Sequence, residues 1–263
     1  MSISLDHLPP DFSAVWGRLR DDMVGILGDD LVALWAFGAR TFPNPPRSLG
    51  DFDTFAVLRR RPRDETIQKI TDAHAAIEQE HRVSLDTDFI LLLDAVQPGF
   101  PPPAWGQGRD EHWAFHQAHW HAGRYLLLHG KPAEEVVPPA TWSDLLLALR
   151  LELEHLERHV AAGDNDPYEA SYAVFNGVRI LYGLETRDVV ISKRAAGAWA
   201  LENLPDRWHA ALLAAGRAYD GEATAPDVEV LRAAMAPLVA MVRARLDSYL
   251  ATHSSELDSA ASS

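Results

Sequence analysis

The sequence predicts an α+β fold, with an α/β domain over residues 1–140, a helical bundle over 141–251 and a disordered tail over 252–263. Three observations lead there. Apolar, β-rich runs are confined to the first half, at 31–38, 51–58 and 83–93. From Thr141 onward apolar residues recur at helical spacing, as in Leu231, Met235, Leu238, Val242 and Leu246. The chain is also long enough for two modest domains, with 263 residues of which 47% are hydrophobic.

The elements follow in order. Phe12, Val15, Trp16, Leu19, Met23 and Leu27 lie on one helical period, so 10–28 is a helix. The first two apolar runs are strands joined by a loop rich in Pro43, Pro45, Pro46 and Gly50. Arg59–Arg63 reads as a solvated turn, and Asp64 as the N-cap of a helix through about residue 80. A third strand spans 83–93. The Pro- and Gly-rich stretch 98–108 excludes regular structure and is either a flap or a connector. Thr141 or Ser143 caps a helix to about 162, Asp166-Pro167 opens one to about 184, and Ser192 caps one to 203. Helices over 205–218 and 226–250 complete the bundle. The tail is polar and poor in large apolar residues, which is why it is expected to be disordered.

Composition excludes several function classes. There is no cysteine, hence no disulfide, Cys-ligated zinc or thiol chemistry. No run reaches the roughly 18 apolar residues of a membrane span, and the first residues carry no leader-like pattern. A soluble, cytoplasmic protein without a membrane partner is expected. The formal net charge of −14 argues against a nucleic-acid partner, which needs Lys and Arg to neutralise phosphates. It suits a small cationic ligand, although acidic surfaces also serve solubility alone.

The chemistry centres on Asp51 and Asp53, at the start of the second strand. Side chains two apart on a strand share a face, and adjacent carboxylates repel unless a cation or a proton intervenes. An Asp-x-Asp here is either a solvated strand end or a metal pair. The third apolar strand also carries two acids, Asp86 and Asp88, and charges in a buried strand are costly unless paired or metal-bound. Together they are read as three or four carboxylates converging on one sheet face. Mg²⁺ with a nucleotide triphosphate is the cation such a set ordinarily takes. A second candidate lies at 110–130, where His112 and His116, and also His116 and His119, would share a helical face. It lacks the Glu of a zinc-binding HExxH pattern.

The strand, loop and Asp-x-Asp resemble the nucleotidyltransferase superfamily that includes DNA polymerase β, and within it the streptomycin and spectinomycin adenylyltransferases. The matching positions are Gly38-Ala39, then Gly50 before Asp51 and Asp53, and Asp86 or Asp88 for the third acid. Downstream, Arg179 and Ser192-Lys193 are similar to the family's helix–turn–helix segment, and the similarity runs over about residues 30–220. The resemblance implies a mixed sheet followed by a helical bundle. It implies an adenylyltransferase that uses Mg²⁺ and ATP on a hydroxyl of a small cationic acceptor such as an aminoglycoside, an activity tied to antibiotic resistance. Asp51 and Asp53 would hold the metal, and Asp86 or Asp88 would take the acceptor proton or complete the metal shell, with Asp86 the first choice because it follows Leu85 as the family's acid follows its Leu. Asp88 would assist on the same strand face. Gly38, Ala39, Gly50, Arg179 and Lys193 would meet the nucleotide, and Trp113 and Glu169 the acceptor.

The chain departs from the family's pattern in Ala39 and Gly50, which stand where the family carries Ser, in a Pro-rich loop one residue longer, and in Asp86 and Asp88 where the third acid is often Glu. A nucleotide-binding protein without turnover is therefore the alternative, and an interaction protein with a structural cation the third reading. Trp113 also reads as a core residue, and Glu152, Glu154 and Glu157 as a solvated helix face. A monomer or weak dimer is expected.

Overall fold

The computed structural model describes residues 8–42, 51–97, 101–105, 111–163 and 166–253. Gly50 and the tail beyond 253 lie outside the described residues, as does most of the 98–108 segment. The chain divides into two compact units, Met1–Ala140 and Thr141–Ser263.

The first unit contains α1 (Pro10–Leu27), β1 (Leu31–Ala36), β2 (Asp51–Leu58), α2 (Asp64–His81), β3 (Ser84–Leu91), α3 (Leu92–Ala95), α4 (Trp113–His121) and β4 (Leu126–Gly130). The strands form one sheet in the order β3-β2-β1-β4. β2 and β3 are parallel, whereas β1 is antiparallel to both β2 and β4, so the sheet is mixed. Every residue of central strand β1 is buried, because helices cover both of its faces. On one face Phe52, Ala56 and Leu58 pack with Trp16 and Leu19 of α1 and Ile77 of α2. On the other, Trp35, Phe55 and Val57 pack with Trp113 and Trp120 of α4. The period of two along β2 thus serves two cores at once.

The second unit contains α5 (Trp142–Ala162), α6 (Pro167–Thr186), α7 (Lys193–Asn203), α8 (His209–Tyr219) and α9 (Ala225–Thr252). α6 is its central helix and touches the other four. Local signals set the starts. Thr141 and Asp144 form a capping box on α5, the Asp166 side chain accepts from the backbone of Tyr168 and Glu169 on α6, and Ser192 accepts from Ala195 on α7. α6 and α7 approach closely at Gly197, where a Cβ would come within 2.8 Å of the Phe175 ring. Among the described residues, no helix is long and apolar enough to cross a membrane.

Four expectations need correction. Asp64 is the first residue of α2 and Arg63 holds the cap position without a side-chain bond. The strand expected over 83–93 ends at Leu91 and turns into α3. The His- and aromatic-rich 110–130 region holds a fourth strand, β4, as well as a helix. α9 runs on to Thr252, so the chain is still helical where the tail was expected to start.

Candidate active site

Two neighbours pin the Asp51–Asp53 segment from either end. Gly38 has φ 79°, and a Cβ on it would sit 1.8 Å from Asp53 Oδ2, so the chain must carry Gly there. Phe37 N–H donates to the Asp53 carbonyl at 3.0 Å, tying the loop to β2 at the same point. At the other end Arg40 is buried, its guanidinium carbon 4.5 Å from the Phe12 ring centre and 4.3 Å from that of Phe52. Its Nε donates to the Asp51 carbonyl at 3.0 Å. Ala39 is half-buried at the start of the short turn Ala39–Thr41, and Thr41 Oγ1 donates to the Gly38 carbonyl at 2.8 Å. No sequence pattern singles out Arg40, whose partners Phe12 and Phe52 with the Asp51 carbonyl come from α1 and β2.

The parallel register places the other acids beside this pair. Asp53 faces Asp86 and Phe55 faces Asp88 across β2 and β3. Residues paired in register point to the same face, so Asp51, Asp53, Asp86 and Asp88 share the face that carries Phe55. On the opposite face the Thr54 and Thr87 hydroxyls meet at 2.6 Å, which fixes that register. Asp51, Asp86 and Asp88 are exposed and Asp53 is half-buried. This corrects the premise that Asp86 and Asp88 sit in a buried strand. β3 is an edge strand, and its acids stay in water at little desolvation cost.

The pair Asp51 and Asp53 fits Mg²⁺. Both are hard oxygen donors on one open strand face, and that ion needs only one or two carboxylates when phosphates complete its shell. Among the described residues, no three His, Asp or Glu side chains come together closely enough to hold a metal by themselves. The four acids therefore share a face without closing into a cage.

Trp113 is a core residue, 1% exposed, with its ring 5.5 Å from both Phe55 and Trp120. His116 of α4 is half-buried, stacked on Trp120 at 5.5 Å and edge-on to Phe37 at 4.7 Å.

In the second unit, Glu169, Tyr172, Asn176 and Arg179 follow one stripe of α6 at spacings of three and four. Glu169 is partly exposed in the first turn. Arg179 Nη1 donates to Asn176 Oδ1 at 3.2 Å, and Asn176 Nδ2 donates to Glu152 Oε1 at 2.8 Å. Burial pushes the Arg179 guanidinium below its ordinary pKa, and the Glu152 carboxylate opposes that shift. Burial, reinforced by Glu152, pushes the Tyr172 phenol well above its usual range. Lys193, the first residue of α7, holds its Nζ 4.6 Å from the Tyr172 ring centre, 5.4 Å from Tyr219 and 5.9 Å from Tyr168. Glu152 is 5% exposed, so it is not part of a solvated helix face. Glu154 and Glu157 are surface residues, with Glu157 paired to Arg243 at 2.6 Å and Glu154 near Arg150. Tyr172 and Asn176 escaped the sequence reading, although their helical spacing to Arg179 was visible there.

Residues 135–245 match the family model of the aminoglycoside adenylyltransferase C-terminal domain. The structure is similar to that of spectinomycin adenyltransferase AAD(9) from Enterococcus faecialis, solved with ATP and spectinomycin. The TM-score is 0.68 at 18% identity, over 89% of this chain and 98% of that one. A comparison with curated proteins found no match. The chain thus has the α+β fold of that enzyme, and over residues 135–245 it is similar to the aminoglycoside adenylyltransferase C-terminal domain.

Proposed function

We propose that this chain is a nucleotidyltransferase that moves AMP from Mg-ATP to a hydroxyl of a small, cationic acceptor such as an aminoglycoside. The observation that carries this is the strand face on which Asp51 and Asp53 are pinned by Arg40 and Gly38, with Asp53 in register with Asp86. The neighbouring structure, which was solved with ATP and spectinomycin, supports the choice of substrates.

Asp51 and Asp53 would hold the metal, which when bound neutralises charge on the triphosphate. Asp86 takes the proton of the acceptor hydroxyl as its oxygen bonds to the α-phosphorus and the bond to pyrophosphate breaks. Asp88, exposed two residues on, adds negative charge for a cationic acceptor. In the second unit Arg179 and Lys193 neutralise the departing pyrophosphate, and Glu169 pairs with an acceptor ammonium. Trp113 reaches no ligand in this scheme, because its ring is enclosed by Phe55 and Trp120.

One observation favours a second reading, in which nucleotide binds without turnover. Ala39 offers no hydroxyl next to Gly38, so that a phosphate there would depend on backbone N–H groups. Calorimetric titration of Mg-ATP into the native chain and Asp51→Asn/Asp53→Asn, followed by a pyrophosphate-release assay over an aminoglycoside panel, decides between them. Release that needs both Asp residues supports transfer. Metal-dependent binding without release from any acceptor supports the second reading. Absence of metal-dependent binding removes both.

A further inference from the structure

A carboxylate enclosed in a helical bundle costs free energy unless its partners are in place, and one retained there serves something other than stability. Glu152 is such a group, on the buried face of α5. It lies at the root of two branches. One runs through Asn176, itself 5% exposed, whose amide donates to Glu152 at 2.8 Å and whose carbonyl receives Arg179 Nη1 at 3.2 Å. The other runs through Tyr172, whose phenol is pushed above its usual pKa by burial and by the Glu152 carboxylate, to the ring on which the Lys193 ammonium lies at 4.6 Å. Both cations of the unit proposed to meet the triphosphate are thus connected to one buried acid on another helix.

The Asn176 amide can donate to Glu152 and accept from Arg179 only in one orientation, and Glu152 sets it. Turned over, the amide would present its N–H groups to the guanidinium. Long cationic side chains lose rotamer freedom when they bind phosphate, and a cation already held loses less. We propose that Glu152 is a positioning residue that presets Arg179 and Lys193 for an anionic ligand, through Asn176 and Tyr172. The inference rests on the triphosphate role proposed above for those two cations.

The test is ATP affinity by calorimetry, together with KM for ATP and for the acceptor, in the full-length native chain, Glu152→Ala and Glu152→Gln, with the folded fraction of each checked by thermal melting. Glu152→Ala is expected to weaken ATP binding about tenfold and raise its KM, leaving the KM of the acceptor unmoved. Glu152→Gln keeps an oxygen that accepts from Asn176, so it should recover most of that loss. Should Glu152→Ala fail to fold, Asn176→Ala cuts the Arg179 branch one step later and should show the same selective loss for ATP. A lower melting temperature with native ATP affinity would mean that Glu152 only supports packing, and the inference falls. Tighter ATP binding in both Glu152 variants would mean that it only offsets charge, and the inference falls again. If the native chain itself binds no ATP, the nucleotidyltransferase reading fails first and takes this inference with it.

Discussion

The Oδ2 atom of Asp53 lies 1.8 Å from the point where a Cβ on residue 38 would stand. Gly38 and Asp53 therefore share one space, and only a residue without a side chain lets the carboxylate keep its place. Position 38 also has φ 79°, which an L side chain adopts at a cost. Gly38→Ala is expected to push Asp53 aside and destabilise the first unit by about 1–3 kcal/mol. Thermal melting reads the second effect. Mg-ATP calorimetry reads the first, as a loss of affinity greater than the lost stability alone explains.

The Arg40 guanidinium lies against the perpendicular rings of Phe12 and Phe52 and bonds the Asp51 carbonyl. Arg40→Met fills similar space but loses the bond and the charge over both rings. A stability loss of about 2 kcal/mol is expected. Arg40→Lys should recover little of it, because a lysine has no Nε–H to bond the Asp51 carbonyl while its charge rests against the two rings. Denaturant titration of both variants checks this, and full recovery by Lys would refute the stacking account.

Asp86 and Asp88 share a face but differ in their partners across the sheet, Asp53 and Phe55 respectively. If Asp86 is the base, Asp86→Asn should lower kcat by about two orders of magnitude or more while ATP affinity holds. Asp88→Asn should raise acceptor KM and leave kcat within a few fold. The reverse pattern in steady-state kinetics would transfer the base to Asp88.

The second unit offers a pH test independent of function. The Arg217 guanidinium, with Thr224, holds the Asp227 carboxyl well below the usual carboxylate range. A depressed pKa means that the folded chain binds its proton later than the unfolded chain does. The stability this contributes is present above the unfolded value of about 3.9 and is lost as pH falls through the folded one. The melting temperatures of the native chain and Asp227→Asn should therefore differ most near pH 7. The gap should narrow once pH drops below about 4. A gap that stays constant down to acid pH would separate the cap from the ion pair.

What was legible in the sequence was local. The Asp51-x-Asp53 strand, the caps at Thr141, Asp166 and Ser192, and the helical periods of the bundle depend on residues a few positions apart. β4 was missed because its five residues, Leu126–Gly130, follow a His- and aromatic-rich stretch and show no alternation of their own. Asp86 and Asp88 were read as buried because an apolar run does not reveal that its strand lies at a sheet edge. Glu152 was read as solvated for the opposite reason. Its partner Asn176 lies 24 positions away on another helix, and neither sequence period brings the two together. Arg40 had no signal at all, since Phe12, Phe52 and the Asp51 carbonyl meet around it only in three dimensions.

The edge position of β3 carries a cost that chains of this kind must manage. An eight-residue strand with one side unpaired is a template on which another chain can add itself. Here the segment after the strand turns back, with Ile90 bridging Pro103 and Ala104 N–H donating to the Phe89 carbonyl at 2.6 Å. The proline has no N–H to offer a further strand, and exposed Asp86 and Asp88 make self-pairing repulsive. The acids proposed above for chemistry thus also guard against self-association, and neutralising both is expected to make the chain more prone to aggregate.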